Sequence, residues 1–166
     1  MTKEEVFKLR ESLFHPPHPW VSAAQRVDQP VAIHSEGTIL FANEATARLV
    51  GAPSPERLIG LQMGDLGGDT TQTEQRVAKL ATATEPLEKA RYTIRTFDGR
   101  ERHIDIASFA LAERLDGRVL VVSVVNVVGE SDSDAQFAKL FEYLDDGVLV
   151  VDRSGRILSS NSAAQK

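Results

Sequence analysis

Four histidines, His15, His18, His34 and His103, are the candidates for metal ligation or proton transfer. His103 stands two residues from Asp105, so on a strand both side chains share one face, as an acid–base pair would. A solvated or hydrogen-bonded pair is the plainer reading. His15 and His18 flank prolines in His15-Pro-Pro-His-Pro19 and read as a surface linker rather than a metal site. His34 falls near a strand end, in a structural or exposed role. His103 falls within a strand, where it could also line a ligand cavity. Arg91, Arg95, Arg100 and Arg102 cluster near one hairpin; an exposed sheet edge explains them, and an anionic ligand or acidic partner is the alternative. Gly64-Asp-Leu-Gly-Gly-Asp69 is glycine-rich but lacks the Gly-Lys-Ser/Thr ending of a phosphate loop. No Gly-x-Ser-x-Gly nucleophile elbow is present. The expected catalytic and metal residues are therefore none.

Composition narrows the field further. With 166 residues and 42% hydrophobic content, the chain can build a real core. It contains no cysteine, which removes disulfides, thiolate zinc sites, iron–sulfur clusters and thiol nucleophiles. A net charge of −5 disfavours nucleic acid binding, which needs clustered basic residues. The excess acid lies within 129–146 (Glu130, Asp132, Asp134, Glu142, Asp145, Asp146), opposed there only by Lys139. The opening MTKEEVFKLR is no secretory signal. The longest apolar run, Val119–Val128, is interrupted by Ser123 and Asn126 and is too short to span a membrane. The expectation is a cytoplasmic chain without membrane contact.

Spacing predicts the elements. Thr2 and Glu5 have capping-box spacing, and Val6, Leu9 and Leu13 form a stripe, so 3–14 reads as an amphipathic helix. Val31–Ile33 and Thr38–Ala42 flank a Ser35-Glu36-Gly37 turn as a hairpin. Asn43 caps a helix over Glu44–Val50, which Gly51 closes. Ser54-Pro55 opens a short helix, Gly64–Thr70 is a loop, and Thr71 with Glu74 starts a helix to about Ala83. Alternation then predicts three strands turning at Asp98-Gly99 and Asp116-Gly117, the last rich in valine on both faces. Phe137, Leu140, Phe141 and Leu144 form the stripe of a helix over 133–146.

Self-similarity organises these pieces. Gly37-Thr-Ile39-Leu-Phe-Ala-Asn43-Glu-Ala45 recurs as Gly155-Arg-Ile157-Leu-Ser-Ser-Asn161-Ser-Ala163, 118 residues later. Val31, Ala32 and Ile33 match Leu149, Val150 and Val151 at the same offset. Gly37, Asn43, Ala45 and their counterparts Gly155, Asn161, Ala163 have folding roles: turn, cap and close helix packing. The expectation is that the chain is a piece of a longer multidomain protein, its second copy broken off at Lys166.

With Gly37-x-Ile39-x-x-x-Asn43-x-Ala45, Gly51, Pro55-Glu-Arg-Leu-Ile-Gly60, the Phe97-Asp-Gly-Arg100 hairpin and the final valine-rich strand in place, the sequence resembles the PAS domain family. The resemblance covers about 22–128 and restarts near 137. It implies an α+β fold: a five-stranded antiparallel sheet with short helices on one face and amphipathic helices flanking it. The implied layout is a flanking helix and Pro-rich linker (1–21), a PAS-like domain (22–128), an acidic linker and connector helix (129–146) and the start of a second unit (147–166). The implied role is a sensory or regulatory module in a two-component or related signalling protein. It would bind a small ligand or partner and signal through its flanking helices to a downstream effector domain, such as a histidine kinase or cyclic-dinucleotide enzyme. A homodimer supported by the flanking helices, including Phe137, Leu140, Phe141 and Leu144, is also implied; a ligand-free dimerisation module is the alternative. A ligand would lie between sheet and helices, which by alternation selects Ile39, Phe41, Tyr92, Ile94, Ile104 and Ile106. A closed apolar core from the same side chains is the plainer expectation. No cofactor is expected: cysteinyl-flavin and cysteine-linked chromophores need a cysteine, and Glu56–Ala90 offers no histidine to haem. One departure stands out: Asn126-Val127-Val128 replaces the Asp-Ile-Thr-like triplet that ends many PAS domains.

Overall fold

A computed structural model describes residues 1–67, 70–82, 87–128, 139–151 and 155–166. Thr2 Oγ1 accepts from the Glu5 N–H, and the Glu5 carboxylate accepts from the Thr2 N–H, so a capping box opens helix α1 (Lys3–Phe14). The surface linker expected next is in fact a helix, α2 (Pro19–Gln25). Proline at its first position wastes no N–H, and His18 Nδ1 accepts from the Trp20 N–H (3.3 Å). His18 is therefore a cap with a largely buried ring, 3.4 Å from the Glu113 carboxylate.

Strands β1 (Val31–Ser35) and β2 (Thr38–Ala42) form the expected hairpin. Its two turn residues, Glu36 and Gly37, both have positive φ, the primed turn that matches strand twist. A Cβ on Gly37 would stand 2.9 Å from the Gln62 side chain, so glycine also allows the next segment to close over the turn. Helix α3 (Glu44–Val50) ends at left-handed Gly51. Two single 3-10 turns follow, Pro55–Leu58 and Met63–Leu66, the second lying in the stretch expected to be loop. Helix α4 (Thr70–Thr82) leads to β3 (Leu87–Arg95), β4 (Glu101–Leu115) and β5 (Arg118–Val127). The five antiparallel strands are ordered β2-β1-β5-β4-β3, which puts β5 at the centre between β1 and β4.

The sheet separates two apolar clusters. On its outer face, Val6, Leu9 and Leu13 of α1 and Val21, Ala23 and Ala24 of α2 pack with Val31, Ile33, Leu40, Leu120, Val122 and Val124. Trp20 meets Phe109 there, ring centroids 4.8 Å apart. On the inner face, α3 and Leu58 cover Ile39, Tyr92, Ile94, Ile104, Ile106 and Val125. The α1 stripe is thus spent on the chain's own sheet. Each such side chain contributes about 1.5–3 kcal/mol by leaving water.

Residues 139–142 are helical, and β6 (Leu149–Val151) pairs with β7 (Ile157–Ser160). Leu140, Phe141 and Leu144 are buried in the outer-face cluster, so they present no free stripe to a second chain; Phe137 and most of the expected 133–146 helix lie outside the described residues.

The two hairpins share one hydrogen-bond plan. Asn43 Oδ1 accepts from the N–H groups of Val31 (3.1 Å) and Thr46 (3.0 Å), while Nδ2 donates to the carbonyls of Ala24 (2.9 Å), Val27 (3.5 Å) and Gln29 (2.7 Å). Asn161 Oδ1 accepts from Val148 (2.9 Å) and Ala164 (3.1 Å), and Nδ2 donates to Phe141 (3.3 Å), Leu144 (3.3 Å) and Asp146 (2.8 Å). The asparagines are 118 residues apart, but every partner preceding its strand is matched at 117. Val31 therefore corresponds to Val148, not to Leu149 as the ungapped comparison has it. The helix at 139–142 holds the place of α2 in this plan.

Candidate functional site

The inner face is not fully closed. A cavity of about 70 Å³ lies between the sheet and the α3–α4 side, walled by Ile39, Leu49, Val50, Tyr92, Ile94 and Ile106 among others. Of the residues selected by alternation, Ile39, Tyr92, Ile94, Ile104 and Ile106 line it. Phe41 does not. It packs on the outer face, 6.1 Å from the Phe14 ring. The cause is a β-bulge: Ile33 pairs with Phe41 but His34 pairs with Ile39, so Leu40 is the extra residue. An extra residue reverses the alternation, leaving Ile39 inward and Phe41 outward. The second hairpin has the same shift between Val150 and Val151.

The cavity's polar groups come from residues that periodicity did not select. His34 is 2% exposed, and its Nε2 lies 3.2 Å from Ser123 Oγ. Ser123 Oγ is in turn 2.9 Å from Ser108 Oγ. Ser108 and Ser123 are directly paired across β4 and β5, so the three side chains form a polar row over adjacent strands. The other ring nitrogen, Nδ1 of His34, is buried without a hydrogen-bond partner. Burial and then the nearby Arg76 charge push the His34 pKa down to about 4, so its ring is neutral at pH 7.

Helix α4 supplies the facing wall. Thr73, Arg76, Val77 and Leu80 follow the i, i+3, i+4, i+7 spacing and all line the cavity. Arg76 is the one charged side chain among the described lining residues. Its Nη2 donates to the Ile106 carbonyl (3.2 Å). Partial burial lowers its pKa, and burial raises that of Tyr92, whose phenol feels the Arg76 charge. At the rim, Gly67 has φ +102, and a Cβ there would stand 2.6 Å from the Arg95 backbone nitrogen. Only glycine allows this close approach of the loop to β3.

The remaining chemical candidates are dispersed. His103 Nδ1 is 3.0 Å from Thr93 Oγ1 on an exposed strand face, away from the cavity, and Asp105 takes two bonds from Arg91 (2.8 and 3.0 Å). They form no dyad. In the arginine cluster, Arg91 pairs with Asp105, Arg95 with Glu101 and Arg100 with Asp98. Arg102 instead joins Arg26, Arg48 and Lys139 around a cleft beside Asn126. Among the described residues no three His, Asp or Glu side chains gather as a metal site, and no helix is long and apolar enough to cross a membrane.

The sheet order, the helices over its inner face and the cavity between them agree with a family match: the model described as PAS fold covers residues 25–131. The chain belongs to the PAS fold family. Solved PAS structures are similar at low identity. The LOV protein of Rhodobacter sphaeroides aligns with a TM-score of 0.61 at 12% identity, covering 82% of this chain and 84% of that one. A domain of a sensory box sensor histidine kinase/response regulator from Geobacter sulfurreducens gives 0.52 at 19%, covering 67% and 95%. The PAS domain, in complex with ethanol, of a LuxR-family transcriptional regulator from Burkholderia thailandensis gives 0.51 at 13%, covering 64% and 94%. At such identities the likeness is one of fold. No curated protein sequence matches the chain.

Proposed function

We propose that this PAS domain is a sensory module of a signal-transduction protein, which holds a small molecule in its inner cavity and passes occupancy to a second PAS-like unit to which residues 139–151 and 155–166 belong. The cavity with its buried polar row carries the reading. A polar row under an apolar wall has no folding benefit over aliphatic side chains, since a buried unpaired nitrogen costs free energy. A ligand that satisfies it while filling the apolar space turns that cost into affinity. The domain itself performs no catalysis; an effector domain of the same protein supplies the output. The ethanol in the Burkholderia structure is a precedent for a small occupant of this fold.

A hydrogen-bonded route leaves the cavity. Val125 lines it, and the Gln29 amide donates to the carbonyl of Val125 (3.4 Å) and to Asn126 Oδ1 (2.8 Å). The Gln29 carbonyl is held by Asn43, and Arg26, which lines the same surface cleft as Gln29 without a hydrogen bond to it, donates to Tyr143 O (3.5 Å) and Asp145 (3.4 Å). Asn126, in place of the aspartate of the Asp-Ile-Thr-like triplet, thus couples by an amide pair rather than an ion pair. Homodimerisation would use side chains other than the buried stripes; Phe7, 65% exposed on α1, is the apolar one available there.

Isoleucine-methyl and amide NMR with xenon and then isobutanol tests this. Saturable shifts at Ile39, Ile104 and Ile106, with accompanying shifts at Tyr143 and Asn161, are expected. No saturable shift from either probe would overturn ligand binding; cavity shifts that stop at Asn126 would overturn transmission.

A further inference from the structure

We propose that the cleft beside Asn126 binds a small phosphate monoester carrying hydroxyl or N–H donors. Arg102 and Lys139 hold its phosphate, and Gln29 Oε1 accepts from a donor on its organic part. The cleft shares no polar side chain with the inner cavity, so the proposal stands apart from the reading of that cavity. Three observations carry it.

The first is charge. Arg26, Arg48, Arg102 and Lys139 line the cleft, and Asp28 is the one carboxylate among its described lining residues. Arg26 is taken by Asp145 at 3.4 Å, and Arg48 lies 3.9 Å from Asp28. Among the described residues, Arg102 and Lys139 have no carboxylate at ion-pair distance. Two positive charges are thus left over in a concave site of a chain whose net charge is −5. A concave wall of one sign focuses the field on an oppositely charged ligand. A phosphate monoester, with a charge of about −1.5 to −2 at pH 7, matches the two, and the guanidinium fork of Arg102 suits its oxygens. The second is an orphan acceptor. Gln29 is 7% exposed and lines the cleft, and its Oε1 is buried without a hydrogen-bond partner. Its Nε2 donates to Val125 O and Asn126 Oδ1, which fixes which end of the amide is the oxygen. That oxygen needs a donor, which a bare phosphate dianion supplies poorly and a hydroxyl or N–H supplies well. The third is size. The cleft's volume of about 610 Å³ lies within the roughly 300–1,000 Å³ of small-molecule sites, with Val27, Pro30 and Leu49 as an apolar surface for an organic part. Because Arg102 belongs to β4 and Lys139 to the helix at 139–142, the ester bridges the sheet and the unit that follows it.

The test is calorimetry and NMR on the 166-residue chain with glycerol 3-phosphate and adenosine monophosphate as esters. Inorganic phosphate, glycerol and adenosine serve as the matching parts. At least one ester is expected to bind tenfold or more tightly than inorganic phosphate and than its own uncharged part. Binding should shift the Gln29 and Asn126 side-chain amide resonances and slow hydrogen exchange at 139–142. A preference for the nucleotide assigns a nucleoside source, and equal binding of both esters assigns recognition of the phosphate and hydroxyls alone. Arg102→Gln and Lys139→Gln, which break no ion pair among the described residues, should each weaken the ester at least tenfold while keeping the native urea midpoint. The proposal is overturned if neither ester binds saturably, if inorganic phosphate or the uncharged parts bind as tightly, or if both variants bind the ester unchanged. Each of these results leaves the xenon and isobutanol shifts at Ile39, Ile104 and Ile106 as a separate question.

Discussion

Acidification should destabilise this domain through one side chain. His34 is buried and neutral, with its pKa pushed from 6.5 down to about 4 by burial and by Arg76. Between those values the unfolded chain binds the proton and the folded chain does not. Stability is therefore full above the unfolded value and falls as the pH drops towards the folded one. The difference amounts to about 2 kcal/mol between pH 7 and pH 5, and about 3 kcal/mol near pH 4. Against a typical domain stability of about 5–15 kcal/mol, this is a large fraction. Urea unfolding at pH 7, 6 and 5, for the native chain and His34→Gln, isolates the effect. The other histidines are common to both proteins and cancel. The carboxylates of Glu5, Asp98 and Asp105 are held below their ordinary range, Asp98 and Asp105 by arginine hydrogen bonds, so they titrate below this window. The native midpoint is expected to fall by about 1 M urea from pH 7 to pH 5, and that of His34→Gln by much less. Parallel declines in the two proteins would refute the argument.

Replacing either asparagine separates the two hairpins energetically. Asn43→Ala leaves several buried backbone groups unpaired and should cost about 3 kcal/mol or more in global unfolding. Asn161→Ala should raise hydrogen exchange across 139–151 and, because Leu140, Phe141 and Leu144 cover the outer face, lower the main denaturation midpoint too, but by less than Asn43→Ala. Gly67→Ala must push the loop off β3, given a 2.6 Å approach to the Arg95 nitrogen; faster exchange at Arg95 and Thr96, with a loss of about 1–3 kcal/mol, is expected. Trp20 is the chain's one tryptophan, so Phe109→Ala should shift its fluorescence to the red and, Phe109 being partly buried, lower stability by about 1–3 kcal/mol.

Local signals read well wherever one residue sets the geometry. The Thr2–Glu5 box, Asn43, Gly51 and the Glu36-Gly37 turn all stand where spacing puts them. What failed depended on relations between distant residues. The bulge at Leu40 is set by pairing with β1, so alternation alone aims Phe41 the wrong way. Helix α2 hides behind a proline cluster; the available signal was Pro19 as a first helical residue followed by Trp20 and Val21. The one-residue gap between the repeats is invisible without their hydrogen bonds. His34, Ser108, Ser123 and Arg76 come from four elements that only the fold brings together, and a lone histidine in a short apolar strand carries no mark of a cavity.

The asparagine plan also sets where modules can be exchanged. A chimera joined at residue 147 cuts Asn161 away from the carbonyls of Phe141, Leu144 and Asp146 that it holds, and leaves an amide with nothing to bind. A junction upstream of residue 139 transfers those carbonyls with their asparagine. The same cut removes Leu140, Phe141 and Leu144 from the preceding unit's outer face. Domain shuffling at this joint therefore has a grammar: the short helix travels with the hairpin that follows it, and the donor must supply a replacement lid for the sheet left behind.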